Sequence, residues 1–269
     1  MLLRQISIEI HKTLKHPALW AGLGALAFLL ACAIVISHFQ IMNGYETGSG
    51  GLETDLLNGL AFFNWLGILV YAVIGSVIVV FDYTDRSMQL WLTHGVPRPV
   101  LLSARLGTIL LFSLLTICFA VAVVLGLGAV SRSLFFGVVE TSSLNLPALL
   151  PAVLRVFWSS LPYLALSVFL GVISRSPFVA AGGTILYGSV VEQFIPALSA
   201  RAPWLTRYLP GSLSHALQSH NSALDLSALP LPTESMLMPE LQVVLLIGGI
   251  FLLLSVASLI SFSRQDLGG

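Results

Sequence analysis

Charge is what this sequence has least of. Only 9% of its 269 residues are Asp, Glu, Lys or Arg, whereas a soluble domain carries about 25%. With so few charges the chain cannot cover a soluble globule, so a soluble enzyme, a nucleic-acid binder and a disordered tail are all excluded. Lysine is nearly missing: Lys12 and Lys15 are the only two, and neither has a glycine nearby. The Gly-Lys-Ser/Thr end of a phosphate-binding loop is therefore absent, and the chain is not expected to hydrolyse ATP or to hold a cofactor. The two cysteines, Cys32 and Cys118, fall inside apolar runs and read as packing residues rather than a disulfide. Six histidines show no metal-ligand spacing; His215 and His220 are five apart, where a helical pair prefers i, i+4. No Ser, His and Asp arrangement suggests a nucleophile. Net charge is zero, with 12 basic and 12 acidic residues, so no anionic partner follows from charge.

What the sequence has is apolar residue in long runs. Hydrophobic residues make up 57% of it, and the mean hydropathy is +0.94. A bilayer core of about 30 Å needs roughly 20 apolar residues in a helix, because every backbone polar group must be satisfied within the segment. Six stretches qualify, at about 18–37, 60–81, 106–130, 156–173, 178–195 and 241–262. The fourth and fifth are the shortest and read as a hairpin turned by Ser174-Arg175-Ser176-Pro177. The expected fold is all-α: a single polytopic domain over residues 1–269. The first run follows a basic segment as a signal peptide would, yet it is too long for a signal core of about 7–15 residues.

Six crossings place both termini on one side. Arg4, Lys12, Lys15, Arg86, Arg98, Arg105, Arg175 and Arg264 lie on that side, against Arg132, Arg155, Arg201 and Arg207 on the other. The positive-inside rule then assigns both termini to the cytoplasm of a cell membrane.

Three segments between the runs carry pattern. Residues 1–16 place Leu2, Leu3, Ile6, Ile10 and Leu14 on one helical face. Arg4, Gln5, Glu9, Lys12, Lys15 and His16 lie largely on the other, as in a helix lying in the headgroup plane. From Asp82 onward, Asp82, Asp85, Arg86, Gln89 and Thr93 form one helical polar stripe, and Met88, Trp91 and Leu92 an apolar one. Gly95, Pro97 and Pro99 then end the segment. Between Pro196 and Glu240, six prolines separate short amphipathic pieces, among them Trp204 to Leu209 and Leu213 to Leu217. These suit a surface loop with interfacial aromatics.

The segment after the second run resembles the type-two membrane permeases of ATP-binding-cassette (ABC) transporters. Asp82-Tyr83 matches the family's acidic-aromatic pair and Ser87 its usual Thr. Leu90-Trp91-Leu92 matches its Leu run, Gly95-Val96-Pro97-Arg98 its turn, and Leu101-Leu102-Ser103-Ala104-Arg105 the return into the third span. Arg86 departs from a common Gly. The opening Arg4–Trp20 is similar to the family's basic elbow, and Phe262 to Asp266 to its short tail. The resemblance implies that residues 82–93 are a coupling helix. Asp82, Asp85, Arg86 and Gln89 would face a separate ATPase subunit, and Trp91 would hold the helix to the membrane. It further implies a dimer with a second copy or a homologous permease, ATP and magnesium held only by the partner ATPase, and export as the direction. For the segment from Pro196 to Glu240 it implies, as the alternative to a surface loop, short re-entrant or surface helices closing the outer mouth of a pathway.

Two ionisable residues near the apolar runs are candidate sites, since charge at mid-bilayer costs about 2.5–3.5 kcal/mol. By residue count Glu192 and Arg155 sit at similar depth on the hairpin, a candidate intramembrane pair; otherwise each snorkels to water. Asn64 and Ser159-Ser160 could line a pathway or bond between helices. Two rival readings remain from residues alone. A secondary transporter would show inverted repeats and broken helices, and a non-transporting assembly factor would need no ATPase-facing helix.

Overall fold

The computed structural model describes residues 2–43, 51–84, 96–137, 146–192, 194, 207–221 and 238–265. Among these every regular element is helical. In chain order they are α1 (Leu2–Lys15), α2 (Pro17–Met42), α3 (Leu52–Thr84), α4 (Arg98–Phe135), α5 (Leu146–Ser174), α6 (Pro177–Leu186) continued by a π turn (Tyr187–Val191), α7 (Pro210–Gln218) and α8 (Glu240–Arg264).

Proline sets several of the starts. Pro17, Pro99, Pro177 and Pro210 occupy the first positions of α2, α4, α6 and α7, where a missing N–H costs nothing and φ is already helical. His16 adds a side-chain cap to α2, its Nδ1 accepting from the Ala18 amide at 3.2 Å. The expected hairpin between α5 and α6 is present. Arg175 takes a left-handed φ of 55°, and Ser174 Oγ donates to the Leu170 carbonyl at 2.6 Å while accepting from the Ser176 amide at 3.3 Å.

By length and composition α2, α4, α5 and α8 can each cross a membrane. A fifth candidate is α3 if its two limbs, Leu52–Asn64 and Leu66–Val80, count together; they meet at 53°. The fifth run, Pro177–Val191, is apolar but shorter. The six expected crossings thus appear as four or five candidate spans and one short apolar helix. Several large apolar side chains, such as Phe28, Phe178 and Leu253, point outward, as a hydrocarbon solvent permits.

The core forms where α3 packs against α4, α5 and α6, and α5 against α8. Small residues make the α3–α5 contact close. A Cβ at Gly75 would stand 2.6 Å from Ser167 Oγ, and Ser167 Oγ donates across the same contact to the Ala72 carbonyl at 3.0 Å. Such small-residue contacts replace the hydrophobic drive that helices lack in lipid. A Cβ at Gly183 would stand 2.8 Å from Leu170 of α5, while one at Gly182 would meet open space. Cys32 and Cys118 are free thiols.

The two ends of the described chain meet at one end of the bundle, called here the terminal end. There α1 forms over Leu2–Lys15. Gln5, Glu9 and Thr13 are buried, Ile6 and Ile10 half-buried, and Leu3, Arg4, Leu14 and Lys15 exposed. Glu9 is drawn in by Arg105, which belongs to α4 and is fully buried. Its guanidinium stands 3.5 Å from Glu9 and donates to the Val79 carbonyl at 3.2 Å. A buried cation requires a partner, and Glu9 of α1 supplies it.

Candidate functional site

The terminal end is bound together by polar contacts around the segment that the sequence singles out. Asp82 lies in the last turn of α3, and its side chain, with Asp85, Arg86, Gln89 and Trp91, lies outside the described residues. Both flanks of that segment are described. Before it, Tyr83 donates from its hydroxyl to Gln265 Oε1 at 3.3 Å. After it, Arg98 donates to the carbonyls of Ser263 and Gln265 at 2.9 and 2.8 Å. Those carbonyls sit at the end of α8, where a cation complements the helix dipole. Gln265 Nε2 reaches on to the Val172 carbonyl of α5 at 2.6 Å. The flanks of residues 85–95 are thus joined to α1 through Arg105, to α5 through Gln265, and to α8 through Arg98.

A second polar centre lies deep in the bundle, and it is built by α7. This nine-residue helix buries Leu213, Ser214, Ala216, Leu217 and Gln218 against α5 and α8, so it is not a surface loop. Its contacts converge on one turn of α5. Ser214 Oγ donates to the Ser159 carbonyl at 3.1 Å, and Gln218 Nε2 donates to Ser159 Oγ at 3.3 Å. Ser159 Oγ also lies 3.1 Å from Asn64 Oδ1, at the bend of α3. Pro162, inside α5, removes the amide that would bond to the Trp158 carbonyl one turn back. Ser160 reaches Ser113 of α4, Oγ to Oγ 3.4 Å.

Glu192 closes this centre. Its carboxylate accepts from the Tyr163 hydroxyl at 2.6 Å and from the Gly211 amide at 3.0 Å. It therefore caps the N-terminus of α7 from another helix, an arrangement that the helix dipole favours. A Cβ at position 211 would stand 2.3 Å from Glu192 Oε2, so any residue larger than glycine there would push the carboxylate off the cap.

The candidate pair of Arg155 and Glu192 is corrected by this geometry. Arg155 donates to Glu240 Oε1 and to Asn221 Oδ1, each at 2.7 Å, tying α5 to α8. Glu192 lies level with Tyr163, eight residues further along α5, or about 12 Å away at helical rise. Residue count over the hairpin already sets them apart, Arg155 lying 19 positions from Ser174 and Glu192 15 positions from Pro177. The π turn at Tyr187–Val191 shortens the climb of Glu192 by about one residue more. Trp158 Nε1 adds a bond to the Val244 carbonyl at 2.9 Å in the same α5–α8 contact.

A third cluster, at the far end, joins α2, α3 and α4. Arg132 grips Asp55 with two nitrogens, Nη2 standing 2.8 Å from Oδ1 and Nε also bonding Oδ2. Asp55 and His38 are both buried, and His38 Nδ1 lies 2.6 Å from Ser131 Oγ. The sequence offered no signal for this cluster, whose members are separated by up to 94 positions (38 to 132) and follow no motif. Among the described residues no group of three His, Cys, Asp or Glu side chains could hold a metal. His215 is partly buried, and burial lowers its pKa from the usual 6.5. His220 Nδ1 lies 2.8 Å from the Ala216 carbonyl near the end of α7.

No family model matches the chain, and no curated protein matches it either.

Proposed function

We propose that this chain is the membrane permease subunit of an ABC transporter, most simply an exporter, driven by a separate ATPase subunit. It spans a cell membrane six times with both termini in the cytoplasm, the fifth crossing being the short Pro177–Val191 helix. It works as a dimer with a second copy or a homologous permease, and the ATPases bring the ATP and magnesium. The observation that carries this reading is the binding of both flanks of residues 85–95 to the rest of the bundle. Tyr83 and Arg98 converge on the end of α8, and Gln265 passes the contact to α5. Arg105 joins the following turn of α4 to α1. A push on the polar stripe of Asp82, Asp85, Arg86 and Gln89 would therefore reach four helices rather than one loop. That is what a motor-driven gate requires.

Purification of the chain from its own cells tests this. An ATPase is expected to accompany it and to be lost on Arg86→Glu or Gln89→Glu, with the yield of the permease unchanged. Reproducible purification of a transport-competent chain free of any nucleotide-hydrolysing partner overturns the proposal.

One observation favours a second reading, a secondary transporter. Such proteins bind substrate and ions at mid-depth between broken helices. Here α3 is bent by 53°, a π turn interrupts the α6 segment, and Glu192 meets the N-terminus of α7. Transport driven by an ion gradient without ATP, and abolished by Glu192→Gln, would establish that reading in place of the first.

A further inference from the structure

A cleft of about 180 Å³ opens between α2 and α3 at the far end of the bundle. Leu30, Ile34 and Phe62 form its apolar wall. Ser37, His38, Asp55 and Asn58 line it as well, and all four carry hydrogen-bonding atoms. Below it, along the same two helices, lies a second hollow of about 180 Å³ whose lining is apolar throughout, from Ala18 to Leu29 on α2 and from Leu66 to Ile74 on α3. The first hollow begins at Leu30, where the second ends at Leu29. From Ala18 to His38 the groove follows about 30 Å of helix.

The polar end is not satisfied by the protein alone. His38 is fully buried. Its Nε2 comes within 3.1 Å of Asp55 Oδ1, yet off the hydrogen-bond direction, so that this atom has no hydrogen-bond partner. A buried polar atom left in that state carries a desolvation penalty. An ionised carboxylate offers about four acceptor positions, and Arg132 occupies two of those on Asp55. Ser37 and Asn58 bring acceptors and donors alike to the same space, so the excess of acceptors comes from the Asp55 carboxylate. Arg132, the cation of the cluster, does not line the cleft. The exposed polar chemistry is thus rich in acceptors and carries a carboxylate.

We infer that this groove binds an amphiphile with an alkyl chain and a head that donates hydrogen bonds, an amine or a hydroxyl group. The head sits among Asp55, His38, Asn58 and Ser37, and the chain lies along α2 and α3 toward Ala18. An anionic head is disfavoured, because it would face the Asp55 carboxylate with no cation in the cleft. This goes beyond the transport reading and does not depend on it: the groove would bind such a molecule whether the chain is moved by an ATPase or by an ion gradient.

The test uses the full chain in phosphatidylcholine discs with three photoreactive probes: hexadecylamine, a hexadecyl glycerol ether and hexadecyl phosphate. Each carries a diazirine near its head, and labelled peptides are mapped by mass spectrometry. The amine and the glycerol ether are expected to label residues 30–38 and 55–62, at least about tenfold more than the phosphate, a difference of about 1.4 kcal/mol in binding. Ala33→Phe, which fills the cleft from its partly exposed wall, is expected to remove that labelling without lowering the thermal midpoint. Should that variant fail to fold, the double substitution Ser37→Leu, Asn58→Leu takes its place. These two side chains bond to nothing else among the described residues, and their loss is expected to abolish the preference for donor heads. Equal labelling by all three heads, labelling spread evenly over the bundle, or labelling unchanged in the variants overturns the inference.

Discussion

The contact of Glu192 with α7 invites a direct measurement. Replacing Glu192 with Ala removes the acceptor for two donors at once, the Tyr163 hydroxyl and the Gly211 amide. Tyr163 is buried, at 5% exposure, so its hydroxyl cannot turn to water. Each buried donor left unsatisfied costs about 1–3 kcal/mol, so the substitution should destabilise the fold by about 2–6 kcal/mol. Glu192→Gln keeps one carbonyl oxygen but turns an NH2 toward the second donor, so about half of that loss is expected. Tyr163→Phe removes a single donor and leaves Gly211 satisfied, and should cost less than Glu192→Ala. Reversible unfolding in mixed micelles gives these values, and limited proteolysis at Pro210–Gln218 reports whether α7 has left its seat. The double-mutant cycle of Glu192→Ala with Tyr163→Phe should show a coupling of about 0.5–3 kcal/mol, as for residues in one hydrogen-bond network. Additive effects, or a loss below about 0.5 kcal/mol for Glu192→Ala, would refute the assignment of Glu192 as the cap that holds α7.

Three further outcomes follow from the other clusters. Glu9→Leu strips the buried Arg105 of its carboxylate and should destabilise the protein by about 3–5 kcal/mol, whereas Leu14→Ala, on the exposed face of α1, should change stability by less than about 0.5 kcal/mol; thermal unfolding of the two variants distinguishes this orientation of α1 from one with Leu14 inward. Asp55→Arg combined with Arg132→Asp should recover folded yield lost in either single variant, read by size-exclusion monodispersity, and no recovery would argue against their pairing. Burial lowers the His215 pKa below its unfolded 6.5, so the unfolded chain binds the proton more readily; stability is complete above about pH 6.5 and falls as pH drops through that value. His215→Gln should flatten that acid limb in a melting-temperature series against pH.

Much of the fold was legible because its signals are local. The long apolar runs around Leu26, Ile117, Leu164 and Leu254 each became a helix, and the Ser174–Pro177 turn formed where proline and a short polar stretch demanded it. The piece from Leu213 to Leu217 was visible as an amphipathic segment, though its burial was not, since periodicity does not say what lies opposite. The helix of α1 was legible too, but not what Glu9 would meet: its neighbour is the guanidinium of Arg105, 96 positions away. Arg155 is held not by Glu192 but by Glu240 and Asn221, 85 and 66 positions away, and partners so distant leave no mark in residue spacing. His38, Asp55 and Arg132 come together only through three helices packing side by side, and no pattern along the chain announces such a meeting. The segment carrying Asp82, Asp85, Arg86, Gln89 and Trp91 remains the place where sequence speaks and its flanks supply the setting.

The π turn before Glu192 makes chain length at Tyr187–Val191 more consequential than side-chain identity. A π turn takes in about one residue more than an α turn. Deleting a single residue there would let the helix return to ordinary winding with Glu192 still turned toward Gly211. A one-residue insertion has no such outlet and would swing everything beyond it by about 100°. Substitutions at Val190 or Val191, and even a one-residue gap, should therefore be tolerated where a one-residue gain is not.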